Sequence, residues 1–148
     1  MQIVWQEWFN RWEAMQDAYV PERQFRVNLM FEIAIEQSET ELKALDLGCG
    51  PGSVALRVVA RCPKATVVAV DSNDILLEIG RRVSNHRHAP VEFRLADIRC
   101  SSWWDNFEDQ FDAVLSATAL HWPRGAVPPT GLQAHHECSS TRWLVRQL

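Results

Sequence analysis

A chain of 148 residues with 47% apolar side chains is long enough for one domain around a single core. Its net charge of −4, with no long basic run, argues against the broad phosphate-tracking surface that nucleic-acid binding needs. No apolar stretch reaches the roughly 18 residues of a membrane span, and no basic region of a signal peptide opens the chain, so no membrane partner is expected.

The four cysteines, Cys49, Cys62, Cys100 and Cys138, have no paired spacing. They read as free thiols, and the expected location is cytoplasmic. His135-His136-Glu137-Cys138 carries ligand-type side chains but lacks a second cluster, so no metal is expected.

In chain order, Trp5, Trp8, Phe9, Trp12 and Met15 come first, at spacings of three and four that put them on one face of a helix. Glu7, Arg11, Glu13 and Asp17 fall off that stripe. The segment is net acidic and anionic lipid would repel it, so core packing or a cover over an active site is the better use of the stripe. A second helix is predicted from Pro21, a favoured first-turn residue, to Gln37, docking through Phe25, Leu29, Met30 and Ile33.

A short apolar strand over 42–47, a glycine turn and a helix over 54–62 then make the opening unit of a nucleotide-binding α/β fold. The turn reads Asp46-Leu47-Gly48-Cys49-Gly50-Pro51-Gly52. Glycines let a backbone turn tightly and bring its N–H groups close to a ligand. A dinucleotide fingerprint wants a glycine at the position held by Ser53, which disfavours a dinucleotide oxidoreductase. A second strand, 66–70, runs into Asp71 and Ser72, a little over 20 residues past the turn, where a ribose-binding acid falls. A basic cluster, Arg81, Arg82, His86, Arg87 and His88, reads as a solvated face after a helix. A third strand, 91–96, leads to Asp97-Ile98, and after an irregular Trp-rich link a fourth runs from Phe111 to Ser116. Strands alternating with helices imply a Rossmann-like parallel sheet with helices on both faces, the ligand lying where the order switches between the first and fourth strands.

Taken in order over residues 41–122, these motifs resemble the class I S-adenosylmethionine-dependent methyltransferases. The continuation Ala117-Thr118-Ala119-Leu120-His121-Trp122 looks like the small-molecule branch that includes trans-aconitate and malonyl-carrier-protein O-methyltransferases. The resemblance implies S-adenosyl-L-methionine as cofactor and a small-molecule acceptor. It places Asp71 on the cofactor ribose, with Ser72 beside it, and Asp97 on the adenine amino group, with Ile98 against the ring. Asp46, Gly48, Cys49, Gly50 and Gly52 fall near the methionine moiety. An aromatic such as Tyr19 could join them from the N-terminal segment. Each acid alone is equally a strand-end or helix-capping residue. The three in register after three strands, with the glycine turn, favour the cofactor. No catalytic residue is assigned. His121 is the one candidate base, and a spacer whose backbone lines the cofactor is the preferred reading of it.

Three regions result: a helical lid or packing segment over 1–40, the cofactor-binding core over 41–122, and an atypical, irregular tail over 123–148. The family continues with a helix, a Pro-Gly-Gly turn and further strands, and the tail matches none of these. A frameshift near residue 122 would account for it, because residues 141–148 can be encoded so that the next frame spells Pro-Gly-Gly-Trp-Phe-Val-Asn. The rivals are a natural minimal variant and an interaction tail, and the rival function is a non-catalytic cofactor-binding fragment. On this reading the fourth strand becomes an open apolar edge, prone to self-association, and the chain keeps its cofactor residues but transfers methyl groups poorly.

Overall fold

The computed structural model describes residues 4–36, 41–100, 103, 107 and 111–117. Apolar runs over 43–47 and 66–71 give strands buried on both faces, β1 (Lys43–Leu47) and β2 (Thr66–Asp71). β3 (Val91–Leu95) and β4 (Ala113–Leu115) complete a parallel sheet in the order β3-β2-β1-β4. The chain leaves β1 towards β2 and returns to its other side at β4, so the expected switch point lies between β1 and β4. Among the described residues, β4 pairs with β1 alone. Residues 118–148, which include His121, Trp122 and the tail, lie outside them.

One face of the sheet, with Ala44, Val67, Ala69, Phe93, Ala113 and Leu115, packs against Val27, Met30, Phe31, Val54, Val58 and Leu77. These six belong to helices α2 (Arg23–Glu36), α3 (Ser53–Arg61) and α4 (Asp74–His86). The other face, with Leu45, Leu47, Val68, Val70 and Val114, is covered by Trp103 and Phe111, with Ile98 and Phe107 packed against them. Among the described residues, the cover on that side comes from Trp103, Phe107 and Phe111 of the aromatic-rich link.

The helical segments correct three expectations. α2 docks through Val27, Met30 and Phe31, whereas Phe25 is 65% exposed and Leu29 is also exposed. The side chain of Ile33 lies outside the described residues. In α1 (Trp5–Tyr19), Phe9 is buried among Leu56, Ile79 and Val83, while Trp8 and Met15 face outwards. The inward face therefore keeps Trp5, Phe9 and Trp12 of the expected stripe, loses Trp8 and Met15, and includes Glu13, which pairs with Arg23 and Arg57. The guanidinium of Arg11 lies 5.2 Å from the ring of outward-facing Trp8. The basic cluster also differs from expectation: Arg81, Arg82 and His86 belong to α4 itself. The guanidiniums of Arg82 and Arg87 sit 5.7 and 5.0 Å from the rings of Trp5 and Phe9, so part of the cluster clasps α1.

Asn73 caps α4, its side-chain oxygen accepting from the N–H groups of Ile75 and Leu76 at 3.1 and 3.3 Å. Replacing Asn73 by alanine orphans both donors and is expected to cost about 1 kcal/mol in urea unfolding. An unchanged midpoint would show that water replaces the cap fully. No helix among the described residues is long and apolar enough to cross a membrane.

Candidate cofactor site

The glycine turn links β1 to α3 at the carboxyl end of the sheet. Gly48, Gly50 and Gly52 all have positive φ, at 65°, 55° and 83°. The turn crosses to β2, with the Cys49 N–H donating to the Val70 carbonyl at 3.0 Å. Because left-handed Gly52 is the residue preceding α3, that helix has no capping side chain of its own. Asp46 takes over the task from the strand beneath. Its alternation with Leu45 and Leu47 aims it at α3, where Oδ2 accepts from the Ala55 N–H at 3.1 Å.

Asp46 is 1% exposed. Burial pushes its carboxyl up to about 7, the charge of Asp71 adds to this, and the Ala55 N–H opposes it. Burial likewise pushes the Cys49 thiol far up, so it is a protonated spacer, its Sγ donating to the Gly50 carbonyl at 3.3 Å.

Asp71 ends β2 and faces the turn. Oδ2 accepts from the Gly50 N–H and Oδ1 from the Asn73 N–H, both at 2.8 Å. Each oxygen keeps a further lone pair, so these bonds fix the carboxylate without exhausting it. Ser72 beside it is exposed. The Ala96 N–H donates to the Asp71 carbonyl at 3.0 Å, carrying the chain from β3 past the end of β2 and setting Asp97-Ile98 next to it.

Ile98 packs under the sheet as a partly buried apolar residue. Asp97 is already engaged. It accepts from Arg99 Nε at 2.8 Å, Nη2 at 2.6 Å and the Arg99 N–H at 3.0 Å, and these bonds hold its carboxyl down to about 2. Across the switch point, buried Ser116 donates from Oγ to the Leu47 carbonyl at 2.9 Å, tying the end of β4 to the end of β1.

The structure therefore gathers Asp46, Gly48, Cys49, Gly50, Gly52 and Asp71 at one turn and sets Ser72, Asp97 and Ile98 along the adjacent strand ends. Sequence reasoning misses Trp12 and Glu13. A Cβ on Gly50 would meet the Trp12 indole at 3.0 Å. Glu13 accepts from Ser53, the first residue of α3. Trp12 stands in the aromatic stripe, but nothing in the pattern aims it at a glycine 38 positions on. Among the described residues no group of three or more acids, histidines and cysteines is arranged to hold a metal.

A family model described as a methyltransferase domain matches residues 44–139. The malonyl-[acyl-carrier protein] O-methyltransferase of Acetivibrio thermocellus is 27% identical over 114 residues, covering 77% of this chain and 38% of that protein. The trans-aconitate 2-methyltransferase of Mycolicibacterium gilvum is 35% identical over 80 residues, covering 54% of this chain and 28% of that one. The chain thus spans well under half the length of these curated relatives.

Among solved structures, coclaurine N-methyltransferase bound to N-methylheliamine and SAH superposes with a TM-score of 0.55 at 28% identity, over 64% of this chain and 26% of that one. An S-adenosylmethionine-dependent methyltransferase from Clostridium acetobutylicum shares the fold, with a TM-score of 0.57 at 21% identity over 74% of this chain and 44% of that one. With its glycine turn, strand-end acids and sheet order set beside these matches, the chain belongs to the methyltransferase-domain family.

Proposed function

We propose that this chain binds S-adenosyl-L-methionine and serves transfer of its methyl group to a small-molecule acceptor. The observation that carries the reading is Asp71. A carboxylate fixed by the Gly50 and Asn73 N–H groups stands at the strand end beside the glycine turn, with lone pairs left for two ribose hydroxyls. Such charge-assisted bonds contribute about 1.5–3 kcal/mol. Ser72 lies where it would flank the ribose. Ile98 would pack on the adenine, and Asp97 would accept from its amino group once Arg99 yields a lone pair. Gly48, Cys49, Gly50 and Gly52 would pass their backbone under the methionine moiety, above Asp46.

The cofactor supplies a methyl group already activated on sulfonium, so the protein's part is alignment of an acceptor rather than covalent catalysis. Relatives named for a malonyl group and for trans-aconitate support a small acid or similar acceptor, and the net charge of −4 argues against a surface for nucleic acid.

Calorimetric titration with S-adenosylhomocysteine tests the site. The parent should bind, and Asp71→Ala should bind about 10- to 100-fold more weakly. No binding by a folded parent, or equal binding by both, overturns the reading.

A further inference from the structure

We infer that Glu13 is a positioning residue that clamps helix α1 onto the glycine turn, so that cofactor affinity depends on α1 being docked. The inference rests on the cofactor reading of the turn and adds to it a control from outside the matched domain. Glu13 lies at the meeting point of three helices. Its Oε1 accepts from Ser53 Oγ and from Arg23 Nη2, the latter at 2.9 Å, and its Oε2 accepts from Arg57 Nη2 at 2.9 Å. Arg23 is 5% exposed and also reaches Asp17 at 3.0 Å, so one buried guanidinium binds two acids of α1 to the start of α2. Burial opposes the charge on Glu13, but the hydrogen bonds and the two cations prevail and hold its carboxyl below the usual range.

The neighbouring residue transmits this anchorage. Trp12 lies against Gly50, the indole Cζ2 3.0 Å from where a Cβ would stand, and the Gly50 N–H is one of the two groups that fix Asp71. Glu13 holds the first residue after the turn and Trp12 covers its middle. Phe9 seats the same helix between α3 and α4. Release of Glu13 would therefore loosen the turn at Gly50 and Ser53 together, and with it the carboxylate of Asp71. By linkage, a ligand that needs the turn in this shape tightens the docking of α1 by the same factor.

Glu13→Gln keeps the shape of the side chain and removes its charge. Hydrogen exchange should show the amides of α1 opening faster in this variant, while S-adenosylhomocysteine binds about tenfold more weakly to the folded protein. Saturating S-adenosylhomocysteine should slow exchange across α1 in the parent. Should Glu13→Gln fail to fold, Arg57→Met removes one partly exposed partner and should give a smaller shift of the same sign. Loosened α1 with affinity within twofold of the parent overturns the clamp and leaves the cofactor site standing. A folded parent that binds nothing overturns both.

Discussion

Replacing Asp46 by asparagine is expected to stabilise the fold progressively as pH rises from 4 to 8, although a strand-end acid of the family's opening motif has been removed. The ordinary carboxyl value is 3.8, and in the folded chain burial, with the charge of Asp71, pushes it up to about 7. Between these two values the folded protein holds a proton that the unfolded chain has released. Folding then takes up a proton, and stability falls as pH rises through that window. The gap corresponds to an upper bound of roughly 4 kcal/mol, complete above pH 7 and absent below pH 4. Asparagine keeps an oxygen for the Ala55 N–H and carries no charge, so it escapes the penalty.

Denaturant unfolding of both proteins at pH 4, 6 and 8 should give coincident values at the lowest pH and a widening gain for the variant above it. Parallel curves across the range would sink the idea. Affinity should move the other way. The ionised form is what a sulfonium and an ammonium would favour, so the variant should bind S-adenosylmethionine more weakly while folding better. Stability gained together with affinity lost would mark Asp46 as a residue placed for the proposed ligand rather than for the fold.

The core of this site was legible because its residues obey local rules. Glycines at alternate positions demand a turn, apolar runs of five or six demand buried strands, and acids at strand ends fall where a parallel sheet delivers them to one edge. Right-handed crossovers set the first three strands side by side once the elements were named, and the place of the fourth beside the first came from the fold's known switch point. What stayed hidden depends on partners far apart in the chain. Glu13 meets Arg57 and Ser53 across 44 and 40 positions, and it shares the inward side of α1 with Trp5, Phe9 and Trp12 while Trp8 and Met15 face out. The docking face of α2 differs from expectation for a related reason. Phe25, Leu29 and Met30 fit a helical period as well as Val27, Met30 and Phe31 do, and only the sheet decides between the two faces. The pairing of Asp97 with Arg99 lies two residues away, yet no spacing rule requires an exposed arginine to fold back on its neighbour. Capping of α3 by Asp46 was not visible either, because nothing in the spacing aims a strand acid at the Ala55 N–H nine residues on.

Gly80→Ala should destabilise the protein, against the usual rule for a glycine inside a helix. Alanine there normally gains about 1 kcal/mol from helix propensity. In α4, however, a Cβ at position 80 would lie 2.5 Å from Phe93 Cε1 and 2.9 Å from the Pro51 carbonyl oxygen. Overpacking of a core typically costs about 1–3 kcal/mol, and with a backbone atom on one side little relief is available, so the clash should outweigh the propensity.

Gly52→Ala meets the same ring at 2.7 Å and adds the strain of a left-handed φ of 83°. A loss of about 2–4 kcal/mol is expected, the larger of the two. Phe93 is thus seated between two glycines, and the double-mutant cycle with Phe93→Leu separates the contributions. In the Gly80 pair the shorter side chain should recover the ring's share and leave that of the Pro51 oxygen. In the Gly52 pair the backbone strain should persist. Additive losses in both pairs, or a Gly80→Ala protein more stable than its parent, would show that the ring moves aside freely. Coupling in both would give Gly52 a packing reason to be glycine, independent of any ligand. Gly50 would then be the position where the requirement comes from α1 above and from the carboxylate of Asp71 at once.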